Sequence, residues 1–400
     1  MEFTSHAARI TALGLLLGSV AAQATDPAPI SVGAFEVTPE LEIQTRYDDN
    51  IFRSFTDEFD DIILEVKPSL SAVMESGANS LSFDLGLADA TYDDSSPDEY
   101  TDWTVDADAH LEANSKNAFD LYAGYHFLHE ARGQGFSQGQ LFLLLDRPDT
   151  FEEIVYGAAY TYGGEDNKAR LNIAADVYDK EYERFDNDQL TRNRTNTGLT
   201  GTFFYGVSDK TDIVASARYT EVDYDEAPLD VNPGLDSDET EFLLGVQWEA
   251  TGKTTGKVLL GVVNKDFDDN LRQDWDNEFT WDAEVIYQAN DFHVLTFGAS
   301  NDQLEAVGTS DFINSDAYTA SWDWEVNDLT RVNAFIRVSE DDFEGDVRAD
   351  DTFLAQIGIE RDLRRWFTLG ASYIYDERDS NIFSLDYERN VFMVDLKFSL

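Results

Sequence analysis

The side chains best able to move a proton or hold a metal are few in this chain. Of five histidines, His6 lies in an apolar N-terminal segment, leaving His110, His126, His129 and His293, and there is no cysteine. Thiolate catalysis and thiolate metal sites are therefore excluded. Neither a G-x-S-x-G elbow nor an H-E-x-x-H pair occurs, and His129-Glu130 has no second histidine at the right spacing. His110 and His126 fall on the polar faces of neighbouring extended segments. About a turn at Ser115-Lys116, position 110 opposes about 121 and position 126 about 105, which separates the two rings by roughly 16 Å at strand rise. They cannot share an ion and read as solvated side chains. The acidic stretches Asp266-Phe267-Asp268-Asp269-Asn270 and Asp223 to Asp238 supply hard oxygen ligands, but no glycine follows Asn270 and the full calcium-loop pattern is missing. No catalytic residue, metal or cofactor is expected.

The larger chemical resource is fixed charge. Asp+Glu number 80 against Lys+Arg 28, a net charge of −52. Phosphate backbones would be repelled, so nucleic acid is excluded as a partner. Disorder is excluded too, because 42% of residues are hydrophobic and 13% aromatic. The charges are interleaved with apolar residues at a period of two. In Phe279 to Tyr287, Phe, Trp, Ala, Val and Tyr share one face, with Thr280, Asp282 and Glu284 on the other. Tyr318, Ala320, Trp322, Trp324 and Val326 alternate with Asp323 and Glu325, and Trp103, Val105, Ala107 and Ala109 with Asp106, Asp108 and His110. Period two is a strand pattern.

These strands are long and carry aromatics toward the ends of their apolar faces, as in Phe119, Leu121, Ala123, Tyr125 and Phe127. That pattern matches a lipid-facing band with aromatic girdles. Short polar links, such as Ser76 to Asn79, Asn114 to Asn117 and Asn327-Asp328, alternate with longer acidic connections, such as Asp48 to Phe59 and Glu305 to Asn314. The expectation is an all-β, transmembrane antiparallel β-barrel of about 18 strands, with 16 as the fallback count. Short turns would face the periplasm and long loops the exterior. The opposite strand face then lines an aqueous lumen, and the residues expected there are Glu40, Glu42, Asp84, Asp102, Asp106, Asp108, Asp282, Glu284, Asp323, Glu325, Arg331 and Arg337. Inward aromatics, Tyr122, Tyr178, Phe335 and Tyr387, are candidate stacking platforms for sugar rings. Gln140 to Leu145 breaks the scheme as a continuous apolar run inside the longest outer connection. It is either an irregular strand or a constriction loop folded inward, built from Arg132, Gly133, Gly135, Leu141, Phe142 and Leu143, with the glycines supplying the freedom to turn.

Residues Ile10 to Ala22, followed by Ala22-Gln23-Ala24, read as a secretion signal covering 1–24. A short periplasmic segment over 25–34 and a barrel over 35–400 complete the division. No later stretch is apolar enough to cross as a helix, and only a closed barrel otherwise satisfies a membrane-spanning backbone.

Arg46-Tyr47-Asp48-Asp49-Asn50-Ile51-Phe52-Arg53, with Asp60-Asp61 and Lys67-Pro68-Ser69-Leu70, resembles the first hairpin of the second beta-barrel porin family of outer-membrane proteins, which is associated with exopolysaccharide export. Tyr387-Glu388-Arg389-Asn390 and the strand after it resemble that family's end. There Phe392, Val394, Leu396, Phe398 and Leu400 form an apolar face like an assembly signal, with Leu in place of the commoner terminal Phe. The resemblance implies the outer membrane of a Gram-negative bacterium, with outer-membrane lipid and the barrel-assembly machinery as partners. It further implies a passive channel rather than an enzyme, exporting exopolysaccharide together with a periplasmic export complex. The alternative is a general or substrate-selective uptake porin; a structural or adhesive barrel is a third reading. The inward carboxylates point to cation selectivity.

Overall fold

The computed structural model describes residues 29–164, 167–183, 192–225, 234–305 and 309–399, apart from the side chains of 250 and 251. The secretion signal over 1–24 and Leu400 lie outside these residues. The strands are β1 (Ile30–Val32), β2 (Phe35–Asp48), β3 (Asp61–Ser76), β4 (Asn79–Tyr92), β5 (Tyr100–Asn114), β6 (Asn117–Glu130), β7 (Asp149–Tyr162), β8 (Ala169–Tyr182), β9 (Arg194–Ser208), β10 (Thr211–Tyr224), β11 (Ser237–Thr251), β12 (Thr254–Phe267), β13 (Trp275–Asn290), β14 (His293–Leu304), β15 (Phe312–Asn327), β16 (Thr330–Glu344), β17 (Ala349–Arg364), β18 (Phe367–Ser380) and β19 (Tyr387–Ser399). From β2 onward each strand pairs antiparallel with the next. β19 pairs back with β2, from Val391↔Asp48 to Ser399↔Glu40, closing an 18-stranded ring. Closure leaves no strand edge unpaired, as a backbone in hydrocarbon requires. Within the N-terminal segment, β1 folds back on the start of β2, Ile30 facing Val37, and stays outside the ring.

Register assigns the two faces. On β4, Phe83, Leu85 and Leu87 are exposed on one side while Asp84 takes the other, and Ala72↔Phe83 and Phe83↔Ala107 carry the apolar row to both neighbours. Ring pairs mark the apolar face near strand ends: Phe119 with Tyr160 at 5.1 Å, Phe367 with Phe398 at 5.0 Å, and Trp322 with Trp324 at 5.6 Å. These belong outward, against lipid. The other face makes contacts between strands that are not neighbours, such as Arg46 of β2 with Tyr100 of β5, so it lines the interior.

Three details depart from the sequence reading. The β17–β18 turn at Arg365-Trp366 is made of a basic and an aromatic residue, without the Asn, Asp, Ser or Gly that marked the other short links, and the β18–β19 connection over 381–386 carries the apolar Ile382, Phe383 and Leu385. A register shift between Glu112 and Asn114 places His110 opposite Asp120 and His126 opposite Thr104, one residue from the expected pairing. The backbones of β11 and β12 also approach closely where Gly245 and Gly261 face the lumen. A Cβ on Gly245 would run into the Val258 carbonyl oxygen, and one on Gly261 into that of Phe242. Glycine is what lets two backbones come this close.

Candidate functional site: the lumen and its outer mouth

The register places all twelve charged residues singled out for the lumen on the inward face, and it sorts them. Asp84, Asp102, Asp106 and Asp108 stand on β4 and β5, with Asp84 directly paired to Asp106. Asp282, Glu284, Asp323 and Glu325 stand on β13 and β15. Strands β4–β6 and β13–β15 contain no lysine or arginine. β5 and β14 are nine positions apart in the ring, so two acidic walls face each other across the lumen. Asp84, Asp108, Glu284 and Asp323 make no ion pair among the described residues.

Each histidine on the first acidic wall is held by carboxylates, and His126 stands between Asp106 and Glu153. His110 Nδ1 lies 2.6 Å from Asp120 Oδ1, His126 Nε2 2.8 Å from Asp106 Oδ1, and His129 Nδ1 2.9 Å from Asp102 Oδ2. Among the described residues no group of His, Asp and Glu is arranged to hold a metal ion.

Glu42 and Arg331 belong to a third region where charges are paired, whereas Glu40 and Arg337, also on the inward face, make no ion pair among the described residues. Lys67 meets Glu42 at 2.7 Å, Lys397 meets Glu360 at 2.9 Å, and Arg331 spans Asp362 at 2.9 and 3.1 Å. Higher on the same side Arg389 grips Asp48 across the β19–β2 seam, its Nε 3.0 Å from both carboxylate oxygens. The lumen is therefore not uniformly acidic. Apolar patches also face it: Val214, Leu243 and Leu259 with Phe204, and Ile374, Val391 and Met393 with Leu354. Of the aromatics considered as stacking platforms, Tyr178 is buried with its hydroxyl on Glu153 at 2.6 Å, and Tyr387 sits under Arg378 and donates to Asp376. Neither presents a free ring face.

At the outer mouth the connection between β6 and β7 is neither strand nor bulge. It forms short 3-10 turns at Gly135–Ser137 and Gly139–Leu144. Gly133, Gly135 and Gly139 all have positive φ, and a side chain on Gly133 would strike the Phe52 carbonyl. Phe142 and Leu145, three residues apart as a 3-10 turn requires, are buried, while Leu141, Leu143 and Leu144 are exposed. Phe142 stacks on Phe52 at 4.6 Å, and Arg132 lies over the same Phe52 ring and clamps Asp98 through two hydrogen bonds of 2.5 and 2.7 Å. From there the loop reaches the β16–β19 side. Arg348, just before β17, donates to Gln138 at 2.7 Å, and Gly139 packs against Ser384 and Leu385. A segment tied both at its own strands and several strands away crosses over the lumen.

The sequence profile of the family described as Putative beta-barrel porin 2 matches residues 23–400. The chain belongs to this family. Among solved structures, the porin is similar to Pseudomonas aeruginosa OpdK, determined with vanillate: 11% identity, 91% of this chain and 99% of that chain covered, TM-score 0.50. It is also similar to P. aeruginosa OpdO, at 13% identity, 92% and 98% coverage and TM-score 0.49. At such identities the likeness is one of fold. No curated protein matches the chain. Family and architecture together identify an outer-membrane barrel of porin type, and they point to a channel rather than an enzyme.

A second crossing of the porin's mouth was not legible beforehand. Glu305, just past β14, reaches β9 five strands away, where Arg194 meets it at 2.6 Å, with Arg192 at 3.4 Å and Lys180 of β8 at 3.9 Å. Arg192 continues the chain to Glu130 at the end of β6, at 2.9 Å. Burial would raise the Glu305 carboxyl, but Arg194, Arg192 and Lys180 outweigh it and hold it down at about 2. The contact joins residues more than a hundred positions apart, and nothing local in Leu304-Glu305-Ala306 announces it.

Proposed function

We propose that this protein is an outer-membrane channel for uptake of small solutes, with a preference for cations or for solutes carrying a cationic group. The observation that carries the reading is the obstructed mouth, crossed by residues 131–148 and again by Glu305. Passage of a long polysaccharide calls for a wide, open aperture, so the export expectation fits this geometry less well than uptake does. Cation preference follows from the two facing walls, whose strands hold carboxylates and no lysine or arginine. Fixed negative charge in a wet pore concentrates cations and depletes anions. Liposome swelling with neutral sugars of increasing size tests the aperture. Entry should stop at small oligosaccharides, and deletion of Gln134 to Leu144 should raise the limit while the barrel still assembles. In cells, removing the protein should slow uptake of a small solute and leave surface polysaccharide unchanged. Loss of surface polysaccharide with unaltered uptake would overturn the proposal in favour of export.

A further inference from the structure

The outward wall is not evenly filled. On the lipid side of β8–β13 a groove of about 670 Å³ opens toward the membrane. Its floor is Gly201, Ala215 and Ala217 of β9 and β10, and its flanks include Phe203, Phe242 and Leu260. A side chain on Gly201 would meet open space. Ala215 is five residues above Lys210 in the periplasmic turn, about 17 Å along the strand and about 13 Å along the membrane normal at a tilt of about 40°. The floor therefore lies near the middle of a hydrocarbon core about 30 Å thick.

The two ends of the groove differ in charge. Toward the exterior, Glu221, Asp238 and Asp266 sit directly side by side on β10, β11 and β12, on the same outward face. No lysine or arginine shares that face on these three strands. Toward the periplasm, the Lys168 ammonium lies 5.2 Å from the centre of the outward Tyr205 ring. Lys210 is exposed in the β9–β10 turn beside Asp209, and Lys253, one turn on, donates to the Ala289 carbonyl at 3.0 Å. Glu165 and Asp166 precede Lys168 in sequence. Among the described residues, the cations beside the groove lie at its periplasmic end. An anionic lipid of the outer leaflet would bring its head group onto the carboxylate row. A second copy docked face to face would press two such rows together, and like charges at that distance repel.

We propose that the groove holds an acyl chain of a glycerophospholipid from the periplasmic leaflet, with its phosphate facing Lys168 and Lys210. The chain replaces the large side chains missing over Gly201, Ala215 and Ala217, and the lysines fix the leaflet from which it comes. This rests on the reading of the protein as an outer-membrane barrel with short turns in the periplasm.

Native mass spectrometry of the whole porin in mild detergent, incubated with phosphatidylglycerol, tests it. The unaltered barrel should retain one phospholipid through detergent removal. Gly201→Leu with Ala215→Leu, which fills the floor, should cut the retained fraction at least tenfold. Lys168→Glu with Lys210→Glu, confined to exposed turn positions, should weaken retention by at least about fivefold for each lysine. Unchanged retention in either variant would overturn the proposal, as would the filled variant losing a dimer instead of a lipid. Single-channel conductance of the same samples reports the barrel separately. Conducting barrels without selective lipid would refute the lipid site alone, whereas unaltered protein that never conducts would refute the porin reading.

Discussion

Phe142→Ala separates a mouth crossed by a tied loop from one where residues 131–148 merely decorate the rim. Phe142 is 3% exposed and stacked on Phe52 within a cluster that includes Ile51, Ile63 and Ala90. Truncating a buried Phe to Ala costs about 3–5 kcal/mol. Here that cost falls on the loop and not on the ring, because no barrel hydrogen bond involves residue 142. Taking the lower figure, the ratio of released to docked loop rises by a factor on the order of 100, at about 1.4 kcal/mol per decade. The Arg132–Asp98 and Arg348–Gln138 contacts remain, so release should be intermittent. Planar-bilayer recordings should show a larger conductance level visited at least about 100 times more often than in the unaltered porin, with the thermal stability of the barrel unchanged. Leu143→Ala, at a neighbouring position 63% exposed, is the control and should leave the recordings as they were. Equal conductance histories for Phe142→Ala and the unaltered protein, with both folded, would refute the argument that this loop narrows the pore.

Reversal potentials across a salt gradient should favour potassium over chloride near 0.1 M and lose most of that preference near 1 M, as the screening length falls from about 10 Å to about 3 Å; anion preference at low salt would contradict the role given to the acidic walls. Because the Glu305 carboxyl is depressed from its usual 4.5 to about 2, its stabilising contribution is fully present above about pH 4.5 and is lost as pH falls through about 2. Conductance should therefore not respond to this tie between pH 7 and 5, while Glu305→Gln should raise open-level occupancy at every pH; a rise in the unaltered porin near pH 6 would point to another group. Ile357→Arg, on the outward face of β17 in mid-strand, should destabilise the folded barrel in bilayers by about 2–4 kcal/mol, whereas Glu284→Arg on the inward face should leave stability nearly unchanged and lower cation preference. Equal destabilisation by both would mean that the two faces have been assigned wrongly.

The alternation of Tyr318 to Val326, and of Phe279 to Tyr287, carried the barrel in the sequence because a period of two depends only on local chemistry. Closure needs no further signal once strands are long and both faces are satisfied. What stayed hidden depends on register between distant strands. Arg389 and Asp48 are 341 residues apart and meet only because β19 and β2 close the ring. The division of lumen residues into acidic walls and paired regions was hidden for the same reason. Each charge could be placed on the inward face, but not beside its neighbour three strands away. Gln140 to Leu145 was ambiguous for a different reason. An apolar run lacks a polar phase, and the period of three in Phe142 and Leu145 becomes decisive only with the positive φ of Gly133, Gly135 and Gly139.

The way the porin places its few cations bears on how it can tolerate so much negative charge. On the outward face near the exterior, Asp316, Glu340, Asp351 and Asp379 are directly paired in one row across β15 to β18, an arrangement that costs stability between neighbouring strands. No arginine is spent there. Arginines instead tie the crossing segments to the wall: Arg132 on Asp98, Arg192 and Arg194 on Glu305, and Arg348 bridging Asp350 and Gln138. Each is buried against a carboxylate, where an unpaired charge would be expensive and a paired one holds its partner in a fixed place. A surface row can be screened by the medium, but a loose loop over the lumen cannot be repaired by salt. Concentrating cations at the mouth therefore fixes the aperture and leaves β4–β6 and β13–β15 without a lysine or arginine of their own, so that on the proposed reading the constriction limits size while the acidic walls favour cations.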